Sequence, residues 1–231
     1  ILVSFASIFV GSQLIQSQAV EKLQVLVDGR RSEINSYLTN IEGEISALVN
    51  AERSISGFAG FGYRYYGVSG GSYEQLQSRY VLNNPHPEGE RYKLDYPGVD
   101  GYDKAHRLFH KHFSEFMLTR DFNDLYLVDM KGNILYSFAK KKDYADSIKS
   151  AALASTGVAK IWQQAIDNNK PGTIFFSDFE SYPYLKDGLY AHVGMPFYQG
   201  EEQLGALVLQ LPNKAIAPIL ENKLGLGQSG E

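Results

Sequence analysis

The sequence predicts an α+β fold in which one long N-terminal helix packs on a lobe built around a five-stranded antiparallel sheet. Three observations carry this. Apolar residues recur seven apart at Val20, Val27, Ile34, Ile41, Leu48 and Ile55, which marks one face of a helix. From residue 122 the pattern changes to alternation with a period of two, as strands require. The later strands are joined by turns too short for a parallel crossover, so they must pair antiparallel.

Composition narrows the function classes. The 231 residues are 44% hydrophobic and 21% charged, which is ordinary for a folded domain. A net charge of −4 with no basic stripe speaks against a nucleic-acid partner. The run Lys140, Lys141, Lys142 reads as a solvated strand end. There is no cysteine, which excludes a disulfide framework, thiolate-bound zinc and thiol catalysis. Tyr (16) and Phe (13) far outnumber Trp (1). Tyr pairs an apolar ring with a polar tip and suits half-wet pockets.

The chain opens on ILVSFASIFV, without charge before Glu21. Residues 1–16 read as the end of a transmembrane helix, although the stretch is shorter than a full span. A signal-peptide apolar region ending at Ser17-Gln18-Ala19 is the alternative. Helical periodicity running through that point favours the anchor. Residues 17–58 form the long stalk helix, ending near Gly57 or Gly60. A helix over 20–55 would be ~54 Å long at about 1.5 Å per residue. Its apolar seam predicts a homodimer through parallel pairing along Val20, Val27, Ile34, Ile41 and Leu48.

Residues 59–121 supply loops and helices of the lobe. Residues 73–82 suit a short helix. Prolines around His86 favour extended backbone, as an ordered loop or lid. Residues 102–120 form a helix with the stripe Ala105, Leu108, Phe109, His112, Phe113, Phe116 and Met117. His106 and His110 lie four apart, the spacing of two helical zinc ligands, but no carboxylate completes a motif, so both read as structural and no metal is expected. Residues 122–213 form the sheet lobe. Leu125-Tyr126-Leu127-Val128 and Ile134 to Phe138 make a hairpin around Gly132. A helix spans about 157–168. Strands follow at 173–179, 189–198 and 204–211, the last apolar enough to be central. Residues 214–231 read as a linker into a further lobe.

This order gives a PAS-like architecture, a ligand-cradling fold with no chemistry of its own. The segments NNPHPEGE (83–90), AHRLFH (105–110), FNDLYLVDMKGNILYSFAKKKDYA (122–145), FFSDFESYPY (175–184), LGALVLQLP (204–212) and GLGQSGE (225–231) resemble the periplasmic double Cache sensor of bacterial chemoreceptors, sensor histidine kinases and cyclases. In that family a GLG-x-[ST]-GE segment leads into a membrane-proximal lobe. The resemblance implies a membrane-distal Cache lobe that binds a small molecule, dimerises along its stalk and signals to a cytoplasmic module. It implies location at the inner membrane, with this segment in the periplasm or outside the cell. The receptor type implied is first a methyl-accepting chemotaxis receptor. A kinase or cyclase input domain, or a spacer lobe without ligand, are the alternatives. Amino-acid-binding members carry an Arg-x-Trp-Tyr-like segment after the hairpin; here only Trp162 is comparable.

Candidate ligand residues come from alternate strand positions and the segments that follow them. They are Tyr126 and Tyr136 on the hairpin, Lys142 and Tyr144 after it, Trp162 on the crossing helix, Asp178, Tyr182 and Tyr184 after the third strand, and His192 on the fourth. Asp178 with Tyr182 is the leading pair, since a carboxylate beside aromatic rings can receive an ammonium group. A small carboxylate held by Lys142 is the other option. Asp178 and Glu180 could act as acid and base, and Ser177, Asp178 and His192 invite a triad. No Gly-x-Ser-x-Gly or phosphate loop supports either, so no enzyme activity and no cofactor are expected.

Overall fold

A computed structural model describes residues 2–218, with side chains described for 16–214 and 216–218. Of the linker expected over 214–231, residues 219–231 lie outside the described residues, as do the side chains of most of the expected membrane-helix end. Among the described residues, no helix is long and apolar enough to cross a membrane. Residues Glu42–Ala215 make up one compact unit, the lobe.

Helix α1 runs over Leu2–Asn50 and α2 over Glu52–Tyr65. The single rod expected to stop near Gly57 or Gly60 is therefore interrupted earlier, at Ala51, whose ψ of 129° is extended. Gly57 and Gly60 sit inside α2 and serve packing. A Cβ on Gly60 would lie 2.8 Å from Phe109 Cε2, so only glycine lets the two helices approach this closely. Helix α3 (Ser72–Gln77) continues into a π-helical turn, Ser78–Leu82.

Helix α4 spans Gly101–Leu118. The Asp100 side chain caps it, accepting from the backbone N–H of Tyr102 (2.8 Å) and Asp103 (3.2 Å). Its buried face carries Tyr102, Asp103, Ala105, His106, Phe109, His110, Phe113 and Met117. The expected stripe is thus rotated: Leu108 is 56% exposed, while His106 and His110 point inward. Apolarity alone assigned Leu108 to the core, but here polar side chains with specific partners take the inner positions.

The sheet has the order β2-β1-β5-β4-β3, with every pairing antiparallel. The strands are β1 (Asp124–Asp129), β2 (Ile134–Ser137), β3 (Phe175–Phe176), β4 (Tyr190–Gln199) and β5 (Glu202–Pro212). The third strand is much shorter than expected; beyond it the chain stays beside β4 through hydrogen bonds between Ser177 and His192 and a Glu180–Tyr190 bridge. Helix α5 occupies Gly157–Asn168, as the pattern predicted.

Register sorts side chains onto two faces. Asp124 pairs with Gln210 and Gln210 with His192, while Tyr126 pairs with Val208, so these residues share one face. Helix α5 covers it with Val158, Ile161 and Trp162, in a cluster that includes Val128, Ala206 and Val208. The opposite face meets α2 and α4: Phe58 lies 4.7 Å from Phe197, and Phe61 5.0 Å from Tyr136, between ring centroids. Fully burying each such ring is worth roughly 1.5–3 kcal/mol.

Candidate functional site

One end of the α5 face is polar. Lys141 Nζ pairs with Asp124 Oδ2 at 2.5 Å and donates to Gln210 Oε1 at 3.3 Å. Asn123 Nδ2 also donates to Gln210 Oε1, at 2.5 Å. The Gln210 amide then donates to His192 Nε2 at 3.1 Å. That contact makes Nε2 the acceptor and leaves the proton of the neutral ring on Nδ1. Burial, with Lys141 and Lys160 nearby, holds the His192 imidazolium down at about 3, so the ring is neutral at ordinary pH.

Beside this network lies Asp143, fully buried. Its Oδ2 accepts from Tyr182 OH at 2.6 Å and from Tyr126 OH at 3.1 Å. The Tyr182 ring stands 5.6 Å from His192 and 6.2 Å from Tyr184. Burial pushes the Asp143 carboxyl up to about 6; Lys141 and the two phenols pull it down, while Asp124 adds to the rise. The tyrosine hydroxyls are pushed well above their ordinary value, first by burial and then by the carboxylates.

Three buried polar atoms here have no partner among the described residues: Asp143 Oδ1, His192 Nδ1 and Glu180 Oε1. Buried polar groups are nearly always satisfied, so such a cluster marks a place where a ligand can supply bonds. Gly157, the first residue of α5, brings the helix start against this cluster. A side chain at 157 would collide with His192 Nδ1 and come within 2.8 Å of Ser177 Oγ. A cleft of about 480 Å³ opens beside the network, where Lys141, Asn123 and Tyr184 meet Tyr92, Phe138 and Lys186.

The structure redistributes the sequence-predicted residues. Tyr126, Tyr182, Tyr184 and His192 come together at this polar end. Asp178 is exposed, and the carboxylate against the Tyr182 ring is Asp143. Lys142 is exposed as well; Lys140 and Lys141 are buried, so the run is not a solvated strand end. Lys140 adopts φ 51°, which turns the chain and breaks the alternation that would have aimed Lys142 inward. Tyr136 lies on the opposite face, because the hairpin pairs it with Leu127 and not with Tyr126. Tyr144 also lies there, its hydroxyl 2.8 Å from that of Tyr102. Trp162 is a core residue whose Nε1–H donates to the Asp129 carbonyl at 2.7 Å.

Ser177, Asp178 and His192 do not assemble a nucleophile–base pair. The Ser177 hydroxyl donates to the Asp178 carbonyl (3.0 Å) and accepts the His192 backbone N–H (2.8 Å), and His192 Nε2 is taken by Gln210. Among the described residues, no group of three His, Cys, Asp or Glu could hold a metal ion. Sequence reasoning missed Asp124, Asp143, Lys141 and Gln210. Gln210 carried a signal, being the lone polar residue inside the apolar run of β5.

No family model matches the chain, and no curated protein matches it. Among solved structures, the chain is similar to the ligand-binding domain of the Pseudomonas aeruginosa PAO1 amino acid chemoreceptor PctC in complex with GABA. The identity is 14% and the TM-score 0.34, over 84% of this chain and 70% of that one.

Proposed function

We propose that this lobe is the extracytoplasmic sensing domain of a membrane-anchored receptor, of the chemotaxis type, and that it binds a small amine-bearing ligand at the polar end of the α5 face. The observation that carries the reading is Asp143. Its carboxyl is fully buried, holds two phenol donors on one oxygen and leaves the other without a partner. A ligand ammonium would satisfy that oxygen and lie among the rings of Tyr126, Tyr182 and Tyr184. Lys141, shared by the network and the cleft, supplies a positive counterpart for a ligand that also bears a carboxylate. The original pair is thereby revised: Tyr182 stays, and Asp143 replaces Asp178. Dimerisation along α1 belongs to the same reading, supported by the exposure of Val20, Leu23 and Val27; Ile41 and Leu48 of the expected seam are buried and drop out of it.

The test is a thermal-shift screen of the purified chain with amino acids, polyamines, organic acids and purines. A ligand at about 100 times its Kd adds roughly 2.7 kcal/mol. Amines should stabilise the chain, and Asp143→Asn should abolish the shift while Asp178→Asn leaves it unchanged. Stabilisation by organic acids alone, or loss of the shift with Asp178→Asn, would overturn this assignment.

A further inference from the structure

On the other face of the sheet lies a cluster of bases that the binding site does not use. His106, His110 and Lys140 are all buried. The two imidazole rings stack 4.3 Å apart. Each holds the segment that follows His86. His106 Nδ1–H donates to the Asp95 carbonyl at 2.6 Å, and His110 Nε2–H donates to the Tyr92 carbonyl at 2.6 Å. Carbonyls only accept, so these contacts fix both tautomers. The remaining His110 nitrogen, Nδ1, accepts from Tyr136 OH at 2.8 Å. His106 Nε2 is buried with no partner among the described residues. Lys140 Nζ has only long contacts, 3.4 Å to the Tyr92 carbonyl and 3.5 Å to His110 Nε2.

The held segment matters because it walls the cleft. Tyr92 stacks on Phe138 with ring centroids 4.9 Å apart, and Glu88, Gly89 and Tyr92 line the cleft opposite Lys141 and Asn123. We propose that His106 and His110, packed beside Lys140, form a proton-operated latch, which keeps residues 88–95 against the cleft while the two rings are uncharged and releases them on acidification. The proposal rests on the cleft giving access to the binding site beside it, but the latch can be tested without any ligand.

The surroundings give the latch its direction. His106 faces His110, Lys140 and the rings of Tyr80, Phe61 and Tyr136. His110 faces Lys140, Ser114, Tyr136 and Phe138. The carboxylates that act on Lys140 are Asp124, already paired with Lys141, and Asp95, on the held segment itself. Asp95 also feels Arg107, and Asp103 is engaged by Arg79 and Tyr80. None of these carboxylates makes an ion pair with the three bases. Burial holds His110 down at about 3 and His106 well below its ordinary range, with Lys140 adding to both; burial likewise pulls Lys140 well below the usual amine value. Because the closed form binds fewer protons, closure is favoured at higher pH and lost as pH falls from about 6.5 towards about 3. Each histidine shifts the balance towards the open form by about tenfold per pH unit below ~6.5, or roughly thirtyfold at pH 5.

Two measurements on the purified chain decide the matter. Histidine NMR titration should show His106 and His110 still neutral at about pH 5; either ring titrating near 6.5 in the folded chain refutes the latch. Hydrogen exchange, corrected for intrinsic rates, should show residues 88–95 losing protection at least tenfold between about pH 6.5 and 5, while β5 stays protected. Equal protection at both pH values, or an unchanged pH slope in the His106→Gln/His110→Gln variant, also refutes it. If the double variant fails to fold, the wild-type titration still decides. A latch that operates in a lobe no ligand stabilises would separate the two proposals, refuting the binding reading alone.

Discussion

Lys141→Met tests which lysine of the run Lys140, Lys141, Lys142 holds the polar network together. The Lys141 and Asp124 side chains are 6% and 0% exposed, so the ion pair is almost entirely buried. Removing one partner of a buried pair leaves the other charge uncompensated, at about 3–5 kcal/mol. Asp124 keeps backbone N–H bonds from Leu125 and Ala139 on Oδ1, which points to the lower half of that range. Lys142 is exposed, so Lys142→Met should change stability by no more than about 0.5 kcal/mol. The double variant Asp124→Asn/Lys141→Met removes both charges and should recover most of the loss, because a buried pair replaced as a whole is often near neutral. Urea denaturation of the three variants at neutral pH provides the comparison. A single-variant loss below about 1 kcal/mol, or a double variant no more stable than the single, would refute the reasoning.

Amine affinity, measured by calorimetry in the His106→Gln/His110→Gln background, should be constant above about pH 6 and fall up to tenfold per unit below it. An ammonium binds the ionised Asp143, whose carboxyl takes up its proton near 6 in the free protein; an affinity flat down to pH 5 contradicts this. Gly60→Ala should destabilise the lobe by about 1–2 kcal/mol, because the overpacking against Phe109 outweighs the gain of up to ~1 kcal/mol in helix propensity. A rise in melting temperature would show that α2 and α4 have slack. The chain has no cysteine, so Ile34→Cys and the exposed Asn35→Cys can be compared directly under mild oxidation. Faster disulfide crosslinking at 34 supports pairing along the seam, and equal rates argue against it.

The features legible in the sequence are those governed by near neighbours. The extent of α5, the hairpin around Gly132 and the antiparallel β4–β5 pair follow from periodicity and turn chemistry, which act over a few residues. The aromatic surroundings of the site were legible in part, through Tyr126, Tyr182, Tyr184 and His192. The carboxylate was not. Asp143 reaches Tyr126 and Tyr182 only because the chain turns at Lys140 with φ 51° and because residues 177–182 return alongside β4. The same turn buries Lys140 and Lys141 and exposes Lys142, although the three are identical in kind. Gly57 and Gly60 read as helix breakers when taken alone and prove to be contact points against Phe109 and Phe113. His106 and His110 read as structural from the sequence, but the partners that hold them, the carbonyls of Asp95 and Tyr92, are brought to them only by the fold. Local sequence determined which segments are helix or strand, because backbone preference is set by adjacent residues. Only the tertiary structure decided which charged groups are buried, because taking a charge or polar group out of water is tolerated only where a distant partner stands within hydrogen-bonding reach.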